Sequence, residues 1–314
     1  MSEVVIVGGG LTGLSAAWEL ERLGVGYTLI EVKNRLGGSI RTERAEGFVL
    51  DAHQCILEKY GDWTFLAELG LADALDAIGS YRDGDLVLFR EGTQTLIDAL
   101  ASRITQPVML RMAVSTVGML DGGRFGVCLE NGLLLDAGAL VITAPALYAA
   151  HLLQALHPDI AYRLLDYRYD AIARVSLGYR WSDVDIPDTP PDDYGITFWQ
   201  TLPHPSRVPP DHVLLRAGVR LRVEGDVPDD LALQLAAAVR LPLNPVVQRV
   251  DFWATADPLT RHLPEHADTM SAIEALLPER VTLAGSDYRA KRLDQQVEQG
   301  RAAARRVVEA LRQR

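Results

Sequence analysis

Cysteine is nearly absent from this 314-residue chain: Cys55 and Cys128 are the only two, and no CxxC occurs. A disulfide scaffold and a thiolate zinc site are thereby excluded, and a reducing compartment fits. Lysine is almost as scarce, with Lys33, Lys59 and Lys291 the only three. A Schiff-base lysine would have to be one of them. Positive charge is in deficit, 31 Lys+Arg against 42 Asp+Glu, a net charge of −11. Such a surface repels phosphate backbones, so no nucleic-acid partner is expected. No apolar run approaches the roughly 18–20 residues that span a bilayer. The N-terminus has no basic region and no cleavage site, which predicts a cytoplasmic protein. HExxH, GxSxG, Walker and EF-hand patterns are missing, and the seven histidines lack ligand spacing, so no metal site is expected.

What is present begins with a β-branched run, residues 4–7, then Gly8-Gly9-Gly10, a helical stretch to Leu23, glycines 24 and 26, and a second apolar run over 27–31. That is β-turn-α-β in about thirty residues, the opening of a doubly wound sheet. Helical patterns follow at 65–71, 93–103 and 146–156. Between 108 and 144 the pattern is short strands broken by Asp121-Gly122-Gly123 and Asn131-Gly132, both hairpin signals. Residues 171–181, 195–201, 212–223 and 246–253 read as strands between the proline-rich loops 187–193 and 203–210, a mostly antiparallel sheet. A last buried strand at 281–284 precedes a long C-terminal helix. Strand-then-helix at both ends implies a discontinuous first domain (1–75, 92–150 and 279–314) with a second one inserted (76–91 and 151–278).

Gly8-x-Gly10-x-x-Gly13 lies between a strand and a helix, the setting in which this motif cradles a pyrophosphate. Glu31, 18 residues beyond Gly13, ends the second strand, where an acid accepts ribose hydroxyls. Arg35-Leu36-Gly37-Gly38-Ser39-Ile40-Arg41-Thr42 supplies a second glycine turn between arginines. A nicotinamide enzyme has no need of it, whereas a larger dinucleotide lying extended over the sheet would use it.

These residues resemble the FAD-binding start of the flavin-containing amine oxidase superfamily, above all its protoporphyrinogen-oxidase-like branch. That family shows V-G-G-G-I-T-G-L-A-A-A, an acid ending the second strand, then R-x-G-G-x-x-x-T. Later segments are similar in order: Glu91 to Leu96, Val141 to Pro145, Leu283-Ala284-Gly285 and Gly300 to Ala303. The resemblance implies noncovalent FAD, held by Gly8, Gly10, Leu11, Thr12, Gly13, Glu31, Val32, Arg35, Gly37, Gly38, Ser39, Arg41, Val114, Gly285, Ser286, Asp287 and Leu293.

Three departures stand out. The family's long cavity-forming region is cut short between Leu57 and Glu91. Its ribityl-binding acid is replaced by Ser286, with Asp287 next. Its glycine turn against the flavin aligns with Tyr288 to Gln295, without glycine. There, Asp294 is expected to cap the last helix, and Lys291 and Arg292 stand beside the flavin or on the surface.

For the chemistry, His53 falls in the segment that passes the flavin ring in relatives. It acts as a base, holds the flavin, or is bonded within a packed turn. Arg174 aligns with a flavin-facing lysine; it places charge there or points to solvent. The strand aromatics Tyr179, Trp181, Phe198, Trp199 and Trp253 read mainly as core. The expectation is an α/β protein: a Rossmann-like FAD-binding domain with an inserted α+β substrate domain. It would oxidise a small to medium amine or related hydride donor through flavin N5. The alternatives are a non-catalytic flavin-binding protein and a compact renalase-like enzyme acting on reduced nicotinamide. Its partner is a small-molecule substrate, and no integral membrane segment is expected.

Overall fold

The computed structural model describes residues 2–190, 195–221 and 227–313. The ends of two expected segments, 191–193 and 222–223, lie outside these.

The doubly wound sheet is present. β1 (Ser2–Val7), β2 (Tyr27–Glu31), β8 (Val108–Leu110), β11 (Leu134–Ile142) and β16 (Val281–Leu283) run parallel, β8-β2-β1-β11-β16 in space. Alternate residues on these strands feed two cores. Val4, Ile6, Leu29, Ala139 and Val141 pack with α1 (Leu11–Leu23), α3 (Gln94–Ala101) and α8 (Leu293–Arg312). Val5, Val7, Ile30, Leu140 and Ile142 pack with α4 (Ala146–Leu153), α5 (Pro158–Leu165) and α7 (His266–Leu276). Such near-continuous apolar runs are what two-sided burial of a parallel strand requires. α5 and α7 lie in the stretch expected to be inserted, yet their apolar faces share the core of the parallel sheet.

β9 (Val114–Met119) and β10 (Phe125–Leu129) extend β11 as an antiparallel meander. Its turns are the two expected from sequence: Gly122 and Gly132 take positive φ, and Asn131 Oδ1 accepts the Leu133 N–H at 3.0 Å.

A separate antiparallel sheet follows in the order β13-β14-β12-β15. Its strands are β12 (Tyr169–Arg180), β13 (Ile196–Leu202), β14 (His212–Arg220) and β15 (Val247–Pro258). Ala173, Val175, Leu177, Leu215 and Ala217 line one face and are covered by Leu231 and Leu235 of α6 (Leu231–Ala238). Residues of opposite parity, Arg174, Ser176 and Arg216, occupy the other face, and the Arg216 guanidinium reaches the backbone oxygens of Asp51 and His53.

The segment from 42 to 92 departs from expectation. β3 (Thr42–Ala45) and β4 (Phe48–Asp51) form a hairpin around Glu46-Gly47, both at positive φ. β5 (Leu57–Lys59), β6 (Leu75–Tyr81) and β7 (Gly84–Phe89) make a three-stranded sheet. The helix expected at 65–71 is the shorter α2 (Thr64–Glu68), stopped where Gly70 turns at φ 78. Among the described residues no helix is long and apolar enough to cross a membrane.

Candidate active site

A cavity of about 550 Å³ opens along the carboxyl ends of β1, β2, β11 and β16 and continues to β15. This is the edge at which open α/β sheets bind ligands. Of the residues expected to hold a dinucleotide, it is lined by Gly8, Gly10, Leu11, Thr12, Glu31, Val32, Gly37, Gly38, Ser39, Val114, Gly285, Ser286, Asp287 and Leu293. Of the two candidates for chemistry, His53 lines it and Arg174 does not.

Gly8 takes φ 109, a conformation that costs glycine nothing. Gly13 lies beneath the turn: a Cβ there would stand 1.9 Å from Gly8 O. The second glycine turn backs the first, Gly37 N–H donating to Gly9 O at 2.8 Å. α1 starts at Gly10 with no side-chain cap and no acid in its first turn. Its first N–H groups and positive dipole end therefore face the cavity, where they suit an anion such as a pyrophosphate.

At the far end Glu31 is buried. Its Oε2 accepts Gly9 N–H at 2.6 Å and its Oε1 accepts Lys33 N–H at 2.8 Å. A carboxylate has about four acceptor sites, so about two remain for ribose hydroxyls. Removing it in Glu31→Ala forfeits charge-assisted bonds of about 1.5–3 kcal/mol, so FAD affinity should fall by about tenfold or more. Titration by flavin fluorescence checks this; unchanged affinity would make Glu31 a brace for the glycine turn alone.

The arginines of the second turn are used differently from expectation. The Arg35 guanidinium donates to Leu36 O, Gly38 O and Ile40 O at 2.9–3.0 Å, so it staples the turn from behind. Arg41 is half-exposed and pairs with Glu43 at 3.2 Å. The cation on the cavity wall at this end is instead Lys33, with Nζ 3.3 Å from Gly38 O. Burial, with the Arg35 charge, holds that ammonium below its ordinary pKa, against the pull of Glu31. A lysine two residues past the acid was the available signal, and its isolation among arginines hid it.

The other end of the cavity gathers His53, Gln54, Trp253, Thr255, Lys291 and Gln296. Burial, then the charges of Arg174, Arg216 and Arg261, keep the His53 imidazole well below its usual range, so it is neutral at pH 7. Arg174 sits opposite Asp251 and Gly218 in the sheet, off the cavity lining, and its charge acts on His53. Trp253 is wall, whereas Tyr179 is core and Trp181 is exposed. Lys291 is on the cavity rim, while Arg292 is held by Asp294 at 2.9 Å and lies over the Tyr60 ring. Asp294 does not cap α8: Arg292 holds the N-cap position, and Gln295 Oε1 accepts the N–H groups of Lys291 and Arg292. Asp287 borders the cavity but is buried, and burial raises its carboxyl pKa against the hydrogen bonds that favour its charge.

Known families bear on this geometry. Residues 6–66 match the model of the NAD(P)-binding Rossmann-like domain, and residues 59–308 match that of the flavin containing amine oxidoreductases. The chain belongs to the flavin containing amine oxidoreductase family. Among curated proteins it is similar to coproporphyrinogen III oxidase of Propionibacterium freudenreichii subsp. freudenreichii, 35% identical over 81 residues, 25% of this chain and 15% of that one. It is also 35% identical over 72 residues to the mitochondrial protoporphyrinogen oxidase of Nicotiana tabacum, 22% of this chain and 14% of that one. The matched stretches are thus a small part of those proteins. Cyclohexylamine oxidase from Brevibacterium oxydans IH-35A shares the fold, with a TM-score of 0.74 at 16% identity over 99% of both chains.

Proposed function

We propose that the chain holds FAD noncovalently in this cavity and oxidises a small to medium amine or related hydride donor at flavin N5. The observation that carries the reading is the continuity of the cavity from an uncapped, glycine-built helix start to a wall with a neutral imidazole. The pyrophosphate would lie on α1 and the 37–38 turn, the adenosine by Glu31, Val32 and Val114, and the ribityl chain by Gly285 and Ser286. Bound there, FAD supplies the redox chemistry, accepting a hydride and passing the electrons to O₂ or another acceptor. Cys55 supports noncovalent binding: it is buried outside the lining, with Sγ 2.7 Å from Arg216 Nη1.

His53 would offer the substrate one donor and one acceptor nitrogen. Uncharged, it does not repel an amine. Arg174 keeps its proton, so its part is to hold His53 neutral. Trp253 supplies an apolar wall that excludes water from the donor carbon. We assign the FAD-binding part to 1–75, 92–150 and 279–314, and the substrate face to the antiparallel sheet within 151–278.

A visible spectrum of the purified protein is the first test, expected to show bound flavin that acid precipitation releases to the supernatant. Anaerobic mixing with candidate amines, and separately with reduced nicotinamides, should bleach it. A colourless protein that cannot be reconstituted would sink the reading. Flavin that no donor bleaches would leave a binding protein without turnover, and bleaching by nicotinamide alone would move the substrate class.

A further inference from the structure

The turn after β16 presents two side chains where one acid is expected to hold the cofactor's polyhydroxyl chain. We infer that Ser286 faces that chain, and that Asp287 is a positioning residue tying the turn to α4 and to β12, so that FAD affinity depends on Tyr169, which lies outside the cavity. This rests on the FAD reading above.

The carboxylate of Asp287 is already engaged. Its Oδ2 accepts the Ala146 N–H at 2.9 Å and the Tyr169 hydroxyl, and its Oδ1 accepts the Ser286 hydroxyl at 3.2 Å. The side chain is 3% exposed. The Ala146 bond has its own logic. α4 begins after Pro145, whose side chain cannot cap, and Asp287 supplies the missing acceptor from 141 residues away. The Tyr169 bond joins the same carboxylate to the first residue of β12. With its proton directed to Asp287, the Ser286 oxygen faces the cavity as an acceptor for a ribityl hydroxyl. Arg261 Nη1 lies 3.3 Å from Ser286 O and braces the turn from the other side.

The groups around this carboxylate fix how it responds to pH. Tyr169 faces it from β12 and Ala146 N–H from α4. From α7, His266 Nε2 lies 3.2 Å from the Asp287 carbonyl and 2.8 Å from the Tyr167 hydroxyl. Tyr288 turns away, its hydroxyl donating to Ala144 O. The nearby cations are Arg261, Lys291 and Arg289, and Arg289 is paired with Glu274 at 2.6 Å. Burial raises the pKa of Asp287, while Tyr169, Ala146 N–H, Ser286 and Arg261 oppose the rise. FAD binding selects the arrangement in which the carboxylate is ionised and accepts the Ser286 proton. Affinity therefore falls as pH falls through the pKa of Asp287. Removing the Tyr169 hydroxyl deletes a bond to the charged form, raises that pKa further and moves the fall to higher pH.

The test is FAD titration by fluorescence, from about pH 5 to pH 8, of wild type, Tyr169→Phe, Ser286→Ala and Asp287→Asn. Circular dichroism confirms that each is folded. Tyr169→Phe is expected to bind FAD about tenfold more weakly at pH 7, with its pH profile displaced upward. Ser286→Ala is expected to lose a similar factor with a smaller upward displacement, because it too removes a bond to the charged carboxylate, and Asp287→Asn to lose the pH dependence. A Tyr169→Phe variant with wild-type affinity and profile would overturn the inference, as would full affinity in Ser286→Ala. Should Asp287→Asn fail to fold, Tyr169→Phe decides alone. Failure of wild type to bind FAD at all overturns the parent reading and this one with it; binding by wild type with no change in the variants overturns this one only.

Discussion

Gly13→Ala should cripple FAD binding while leaving a folded chain. The added Cβ would sit 1.9 Å from Gly8 O and 2.9 Å from Thr143 Oγ1. Backbone oxygen cannot swing aside as a flexible side chain does. Either α1 lifts from the end of β1 or the Gly8 turn opens. Both break the register between the helix N–H groups and the second turn, where Gly37 N–H meets Gly9 O. Overpacking of this kind costs about 1–3 kcal/mol. Charged wholly to the bound state, that weakens FAD affinity by about 5- to 150-fold. Part of the cost falls on the fold, because α1 also packs against α8: a Cβ on Gly300 would meet Thr12 O at 2.2 Å. FAD titration together with thermal unfolding separates the two shares. Gly24→Ala, at a position where a Cβ meets nothing within 4 Å, is the control for the loss of a glycine. It should spare FAD affinity and lower only stability, through its positive φ at the C-cap. An unaltered FAD affinity in Gly13→Ala would mean that the glycine turn is not the pyrophosphate cradle.

The contrast between Gly13 and Arg35 shows what was legible in the sequence. Glycines are legible because their reason is local: the chain must pass close to itself within a few residues. The strand-turn-helix, the meander turns and the four strands of the second sheet were readable for the same reason, since periodicity and turn chemistry act over short distances. An arginine's long side chain has several acceptors in reach, and the sequence pattern does not say which it takes. Arg35 has three carbonyls of its own turn within reach and uses them. Lys33 lines the cavity. Of the strands missed in 42–59 and 75–89, β3, β4 and β5 carry only three or four residues, too few to show a period, and β5 pairs with β7 across a distance. α5 and α7 read as part of an insertion because they flank its strands in order, α5 before β12 and α7 after β15, whereas their apolar faces belong to the parallel sheet's core. Asp287 was visible as an acid beside Ser286, but its partners, Tyr169 and Ala146, are 118 and 141 residues away.

Such distant pairing makes Arg207 the other position of large effect. Arg207 lies in the loop between β13 and β14, and its guanidinium meets Asp51 at 3.0 Å and Phe89 O at 2.7 Å. Both side chains of the ion pair are about 1% exposed. Asp51 also accepts the Thr93 N–H at 3.0 Å, the Thr93 hydroxyl at 3.1 Å and the Thr42 hydroxyl. These bonds satisfy the carboxylate but do not neutralise it. Arg207→Ala therefore strands a buried charge, at a cost of about 3–5 kcal/mol. That is a large part of the roughly 5–15 kcal/mol by which a domain is stable. Urea unfolding should show it as a shifted midpoint. Cutting the exposed pair Arg44–Glu91 by Arg44→Ala should cost at most about 1 kcal/mol. The double variant Asp51→Asn, Arg207→Met removes both charges and should recover part of the loss, because breaking such a pair costs more than replacing it. The effect should reach the cavity too. Asp51 ends β4 two residues before His53, and Arg216 holds the backbone oxygens of both. If Asp51 shifts to find water, His53 moves with it, and the bound-flavin spectrum should change before global unfolding begins. Unfolding of Arg207→Ala within 1 kcal/mol of wild type would mean that the buried pair does not hold the fold together.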